Sequence, residues 1–114
     1  MNEILGIGRI KFREGTLEEF KRLAAQAMEI VRTMDTGTLQ YDICLNDNQS
    51  ECIVIERYQD SAAVMKHGSH IGDLVASMFA TGSASSEMLG EPSAELRAMM
   101  EGGEVRLFTP FLSM

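Results

Sequence analysis

The sequence has no tryptophan, few prolines and an excess of acidic over basic residues. Its 17 Asp and Glu outnumber its 10 Lys and Arg, for a formal net charge of -7. Such a charge repels phosphate groups, which argues against binding to nucleic acid or to an anionic membrane surface. No apolar run has the length needed to span a bilayer. These features exclude the nucleic-acid and membrane classes.

Cysteine is also scarce, with Cys44 and Cys52 as the two examples. They form neither a CxxC pair nor a dense disulfide framework. The N-terminus shows no basic region followed by an apolar one, as a secretory signal would. We therefore expect two reduced thiols and a cytoplasmic protein.

The length of 114 residues fits one domain over residues 1–114, large enough to bury a core. Nine methionines stand out in this composition. Methionine fills irregular gaps in a core, and it also lines adaptable ligand cavities. Both interpretations stay open at this point.

The first half of the chain predicts a strand, a helix and a hairpin. Residues 4–12 alternate as a strand, in which Gly6 and Gly8 leave space for a helix or a ligand. Thr16 and Glu19 form a capping box, apolar residues recur at helical spacing up to Met34, and Gly37 is placed to end the helix. Strands are predicted over 39–45 and 52–58, with turn residues between them.

The second half predicts a short helix capped by Asp60 and interrupted by Gly68 and Ser69, then a second helix from about His70. Residues 81–86 suit a loop, and 87–89 a short strand. A further helix follows Pro92 and Ser93, and a last strand covers 105–111.

This order of elements is β-α-β-β-α-β with an extra helix and strand. It predicts an α+β fold, the ferredoxin-like split βαβ arrangement with an antiparallel sheet and a C-terminal helix-strand extension. One sheet face is left bare, and Leu5, Ile7, Ile53 and Ile55 are expected on it. An apolar face of this kind favours a homodimer packed sheet to sheet.

Several of these segments resemble the antibiotic biosynthesis monooxygenase (ABM) domain family. They are Gly37-x-Leu39-x-Tyr41, the run from Ile53 to Asp60, Ala63 with His67, and the ending from Glu104 to Pro110. The resemblance implies a dimeric α/β barrel with a pocket between each sheet and its helices. It also implies one of several activities, among them cofactor-independent oxygenation, haem degradation and isomerisation. Haem-degrading members use a pocket tryptophan, so its absence here disfavours that branch.

The register of the hairpin decides which side chains face the pocket. Pairing Tyr41 with Glu56 gives one apolar face and sets Gln40 opposite Arg57, whereas pairing Cys44 with Cys52 mixes polar and apolar residues. Because register follows the buried face, we prefer the first pairing, which also disfavours a disulfide.

In that register Tyr41 and Glu56 point together towards the helices. A carboxylate on an apolar face must be paired. Glu56 is therefore either a structural hydrogen-bond acceptor or a base able to take a phenolic proton. Tyr41 is likewise either a core tyrosine or a site residue.

His67 and His70 lie three residues apart, which suits metal ligands only where a third ligand is present. Each histidine can be explained by a position on the surface or at the end of a helix. The resemblance favours His67 as a pocket histidine that orients or deprotonates a hydroxylated aromatic.

The predicted function is a cofactor-independent monooxygenase acting on a small quinol or hydroxylated aromatic. Its candidate catalytic residues are His67, His70, Tyr41 and Glu56. Its candidate substrate-binding residues are Leu39, Ile43, Val54, Tyr58, Met78 and Phe79. The sequence predicts no metal, and the expected partners are a small-molecule substrate and a second copy of the chain. A non-catalytic binder of a small metabolite and an isomerase of a small carbonyl compound are the alternatives.

Overall fold

The computed structural model describes residues 3–114, in which three helices pack against a five-stranded sheet. The strands are β1 (Ile4–Phe12), β2 (Thr38–Leu45), β3 (Glu51–Tyr58), β4 (Gly82–Leu89) and β5 (Val105–Phe108), and the helices are α1 (Leu17–Met34), α2 (Ser61–Phe79) and α3 (Ala94–Met100). This is the predicted α+β, ferredoxin-like arrangement with its C-terminal helix and strand. None of the helices among residues 3–114 is long and apolar enough to cross a membrane.

The sheet has the strand order β2-β3-β1-β4-β5. The pairs β1–β3, β1–β4 and β2–β3 are antiparallel, but β5 runs parallel to β4. The predicted antiparallel sheet is formed by β1 to β4, and the C-terminal extension makes the whole sheet mixed by adding β5 as a parallel strand. The parallel pairing arises because α3 carries the chain back across the sheet before β5 begins.

Helix α1 packs its apolar stripe of Phe20, Leu23, Ala27 and Val31 into the core, as its periodicity predicts. The predicted capping box is absent, because the Thr16 hydroxyl donates instead to the carbonyls of Arg13 and Thr81. Gly37 does not end the helix either, since α1 stops at Met34. A Cβ on Gly37 would lie 2.5 Å from the Ala63 Cβ, so glycine is needed there for the close approach to α2.

Helix α2 is one helix of 19 residues, not the two that were predicted. Its N-cap is Asp60, as expected, and the side chain accepts from the Ala63 amide. The helix continues through Gly68 because His67, just before it, and Ile71, one turn after His67, are both buried. Tertiary packing outweighs the low helix propensity of glycine here.

Strand β4 was predicted as a loop followed by three strand residues, but it pairs with β1 from Gly82 to Leu89. Its small polar residues are poor strand formers in isolation. Ladder hydrogen bonds use only the backbone, so pairing with the central strand decides the conformation. The last strand, β5, is shorter than predicted and ends at Phe108.

The β2–β3 hairpin has the predicted register, with Tyr41 opposite Glu56 and Gln40 opposite Arg57. The register shifts between Thr38 and Gln40, which displaces Leu39. Leu39 is 43% exposed as a result and does not join the apolar face. On the far side of the sheet, Ile53 is 40% exposed, as expected for the face without helices.

Candidate functional site

Asp35, the residue after the last turn of α1, holds both histidines of the chain. Its Oδ2 lies 2.6 Å from the His67 Nδ1, and its Oδ1 lies 2.5 Å from the His70 Nδ1. The Thr38 hydroxyl donates to Oδ2 over 3.0 Å. The Asp35 side chain is only 2% exposed. The carboxylate therefore fixes the orientation of two imidazole rings that lie about one turn apart on α2.

The other ring nitrogen of His67 faces Glu56. Its Nε2 lies 3.0 Å from the Glu56 Oε1, close enough for an ion pair, although it makes no hydrogen bond. That same oxygen accepts a hydrogen bond of 2.7 Å from the Tyr58 hydroxyl. The His67 Nε2 is thus a buried polar atom without a hydrogen bond, between a carboxylate and a tyrosine. Buried polar atoms without a hydrogen bond are rare in native proteins, and a catalytic role is one of the reasons for which they occur.

The two carboxylates set the charge of His67. Burial alone lowers the pKa of an imidazole, but the adjacent Glu56 and Asp35 outweigh it and raise the pKa of His67 above its ordinary value of 6.5. Burial likewise raises the pKa of Asp35, but hydrogen bonds from His70, His67 and Thr38 lower it below 3.8. The cluster therefore favours the protonated form of His67, an imidazolium between two carboxylates.

Two tyrosine rings pack against His67. The ring centroids of Tyr41 and Tyr58 lie 5.5 Å and 5.2 Å from its centroid. Burial, followed by the negative charge of Glu56, raises the pKa of both phenols far above the ordinary value of 10. Both hydroxyls therefore stay protonated, so that Tyr58 acts as a hydrogen-bond donor to Glu56 and not as a base.

A hollow of about 260 Å³ opens beside this cluster, between α2 and the sheet. Glu56, Tyr58 and His67 form its polar end, and Val75, Phe79 and Met88 its apolar walls. Gly6 lies in its floor, where a Cβ would come within 3.4 Å of the Glu56 Oε2. The absence of a side chain at residue 6 leaves that carboxylate oxygen accessible from the hollow.

The structure brings together some of the predicted site residues and separates others. Glu56, His67, Tyr58 and Phe79 line the hollow. Neither His70 nor Tyr41 lines the hollow. His70 contacts Asp35, and the ring of Tyr41 packs against His67. The remaining four predicted binding residues lie elsewhere: Val54 and Met78 are buried in the core, Ile43 packs against that core, and Leu39 is exposed.

Asp35 is the site residue that sequence reasoning missed. It lies 32 residues before His67. Nothing in the sequence around it indicates that its side chain belongs to a buried polar cluster. The signal available was indirect: two histidines on one buried helix face need an acceptor. Among residues 3–114, no group of three or more His, Cys, Asp or Glu side chains is placed to hold a metal ion.

The family model described as antibiotic biosynthesis monooxygenase matches residues 4–71, more than half of the chain. The chain belongs to the ABM family. The match includes Asp35, Glu56 and His67, so the cluster lies within the part of the chain that defines the ABM domain. No curated protein matches the chain.

Solved structures resemble this ABM chain along much of its length. MupZ from Pseudomonas fluorescens superposes with a TM-score of 0.82 at 20% identity, covering 100% of this chain and 94% of MupZ. Rv0793 from Mycobacterium tuberculosis gives a TM-score of 0.70 at 18% identity, covering 81% and 97%. SnoaB from Streptomyces nogalater, described as a cofactor-independent oxygenase, gives 0.66 at 13% identity, covering 77% and 91%. At these identities the likeness establishes the fold.

Proposed function

We propose that the protein is a cofactor-independent monooxygenase acting on a small quinol or hydroxylated aromatic. The observation that carries this proposal is the buried His67 Nε2, which makes no hydrogen bond and lies 3.0 Å from Glu56 at the wall of a hollow. Membership of the ABM family supports monooxygenase chemistry in general. The geometry adds which groups would handle the protons.

The chemistry needs a substrate that becomes electron-rich when it loses a proton. A quinol supplies all four electrons: with one O2 it gives one hydroxyquinone and one water, one oxygen atom entering the ring and the other leaving in water. The protein has to remove a phenolic proton, stabilise the resulting phenolate and exclude bulk water.

Glu56 is the proposed base, because its Oε2 faces the hollow over Gly6 while Oε1 is engaged by Tyr58. His67 is the proposed stabilising group. As an imidazolium held by Asp35, it places a positive charge next to the developing phenolate and can donate a proton from Nε2 to reduced oxygen. Asp35 positions the ring and fixes which nitrogen faces the hollow.

An oxygen electrode tests the proposal, with 1,4-dihydroxynaphthalene as the probe in chelator-treated buffer. We expect one O2 consumed per quinol, no hydrogen peroxide, and a loss of at least 100-fold in rate for His67→Asn and for Glu56→Gln. Lys66→Ala, at an exposed position of the same helix, is the control and should keep the wild-type rate. Peroxide formed in stoichiometric amounts, or unchanged rates in both variants, would refute the oxygenase.

An isomerase of a small carbonyl compound is the second candidate, favoured by the pairing of a carboxylate with an imidazolium on one wall. The pair can take a proton from one carbon and return it to another without oxygen. Anaerobic exchange of substrate hydrogens with D2O, in the absence of oxygen uptake, would support this candidate over the oxygenase.

We also propose a homodimer joined through the sheet face opposite the helices. The proposal is supported by a set of partly exposed apolar residues on β1 and β3, namely Leu5, Ile7, Ile53 and Ile55.

We further propose a cytoplasmic location. The two cysteines, Cys44 and Cys52, are free, which suits a reducing compartment.

A further inference from the structure

The hollow beside His67 does not end at its apolar wall. A second hollow of about 510 Å³ adjoins it over β4. The two share Phe79, Ser86 and Val105 among their lining residues. Together they form one trough that begins at Glu56 and His67 and continues past Phe79, and we call it the β4 trough.

The floor of the β4 trough is bare because β4 carries small side chains. Gly82, Ala84 and Ser86 line the second hollow, and Ser86 pairs across the sheet with Gly8. Larger side chains at Ala84 or Ser86 would fill the trough, whereas a Cβ on Gly82 would clash with the backbone of β1 at Lys11 and Phe12. The small side chains of Ala84 and Ser86 therefore keep this space open.

The far wall of the trough comes from outside the segment that matches the family model. The match ends at residue 71, whereas Glu104 and Val105 belong to the C-terminal extension that adds β5 to the sheet. The extension therefore lengthens the site that the ABM domain begins.

Two glycines in α2, Gly68 and Gly72, line the same trough one helical turn apart. Glycine inside a helix is less favourable than alanine, because its backbone loses more conformational freedom on folding. Packing does not require either glycine, since a Cβ added at either position would meet no atom within 4 Å. Both keep open a helix face that a side chain would otherwise occupy.

The charges along the trough restrict its ligand. Glu87 lines the first hollow but is paired with Arg9, so Glu104 is the charged residue at the far end of the trough, and no Lys or Arg among residues 3–114 lines either hollow. A carboxylate or phosphate tail that reaches the second hollow would therefore meet the negative charge of Glu104. The distance along α2 from Gly68 to Phe79 is about 16 Å at the helical rise per residue, longer than a single aromatic ring.

We infer that the site takes an elongated, uncharged and largely apolar substrate, whose reacting end lies at His67 and whose tail runs along Gly68 and Gly72, past Phe79, to Val105. The position of the reacting end rests on the proposed function. The direction of the tail rests on the trough alone.

Binding of 2-alkyl-1,4-hydroquinones tests this inference, with alkyl chains from methyl to heptyl and anaerobic calorimetry as the readout. Without oxygen no turnover occurs, so that binding is measured separately from chemistry. Each added methylene should tighten Kd by roughly two- to fourfold as it leaves water. A terminal carboxylate on the heptyl chain should weaken Kd by at least tenfold.

Gly72→Leu should fill the trough and abolish the gain from chain length while leaving the methyl compound bound. Ser77→Leu adds the same side chain at an exposed position of α2 that lines neither hollow, and should bind the whole series like the wild type. Gly72→Ala is a milder second variant. It should raise the thermal midpoint of unfolding, because alanine favours the helix, and yet weaken binding of the heptyl compound.

The inference is overturned if wild-type affinity does not depend on chain length, or if Gly72→Leu binds the heptyl compound as tightly as Ser77→Leu does. Its failure differs from failure of the proposed function. Oxygenation of an unsubstituted quinol, with no effect of chain length on binding, would reject the elongated substrate and support the oxygenase. Binding that depends on chain length, without any oxygen uptake, would support the elongated substrate and reject the oxygenase.

Discussion

Replacement of Asp35 by asparagine is the sharpest test of how the histidines are held. The carboxylate accepts from His67, His70 and Thr38, and its side chain is 2% exposed. Asparagine offers one oxygen where the carboxylate has two, and its amide group donates where one of the imidazoles also donates. A charged hydrogen bond contributes about 1.5–3 kcal/mol.

The His70 contact is partly solvated, since that side chain is 19% exposed, so we weight it less than the buried His67 contact. We expect Asp35→Asn to lower the free energy of unfolding by about 3 kcal/mol at pH 5.5. This corresponds to a fall of roughly 10 °C in the thermal midpoint for a domain of this size.

The pH dependence of this loss has a defined sign. The raised pKa of His67 adds stability that is complete below the unfolded pKa of 6.5 and is lost as the pH rises through the folded pKa. The lowered pKa of Asp35 adds stability that is complete above 3.8 and is lost as the pH falls through the folded pKa. The difference between the wild type and Asp35→Asn should therefore be largest between about pH 4 and 6.5 and shrink towards pH 9.

Urea unfolding followed by circular dichroism at pH 5.5 and pH 9 measures both free energies. Asp73→Asn, the same substitution at an exposed position of α2, is the control and should change stability by less than about 0.5 kcal/mol. A loss in Asp35→Asn no larger than that of the control, or one equal at the two pH values, would refute the assignment of Asp35 as the shared acceptor.

Three further predictions follow from packing and exposure. Gly37→Ala should destabilise the protein by about 1–3 kcal/mol in urea, because its Cβ would meet that of Ala63 at 2.5 Å; an unchanged midpoint would contradict the close approach. Ile53→Lys should convert the proposed dimer to a monomer in light scattering at micromolar concentration, whereas a wild type that is already monomeric would reject the dimer. At pH 8 a thiol reagent should label Cys44 quickly and Cys52 only after unfolding, because burial raises the pKa of Cys52 to about 11; rapid labelling of both would contradict this.

The fold was predictable from sequence where apolar periodicity dominates. The alternation in the hairpin gave the pairing of Tyr41 with Glu56, and the stripe from Phe20 to Val31 gave α1. Prediction failed where tertiary contact overrides local propensity. Backbone pairing with β1 makes a strand of the polar segment from Gly82, and packing around His67 carries α2 through Gly68.

The site was predictable only in part, for the same reason. Glu56 could be assigned to a pocket because it lies on the predicted apolar face of the hairpin, and His67 because the family resemblance favours a pocket histidine there. Asp35 could not, since its contacts join residues 32 and 35 positions apart across two helices. The prediction for β2 assumed that apolar and polar residues alternate without interruption. It therefore missed the bulge near Leu39 and wrongly assigned that residue to the apolar face.

We expect His67 to be held as an imidazolium between the carboxylates of Asp35 and Glu56 at the wall of the hollow. An NMR titration of its ring carbons and nitrogens tests this directly, and the His70→Gln variant assigns the signals, because the chain has two histidines. We predict a pKa for His67 above 6.5 that falls when Asp35 or Glu56 is replaced by its amide. A pKa at or below 6.5, or one that neither replacement changes, would show that the two carboxylates do not hold His67 as an imidazolium.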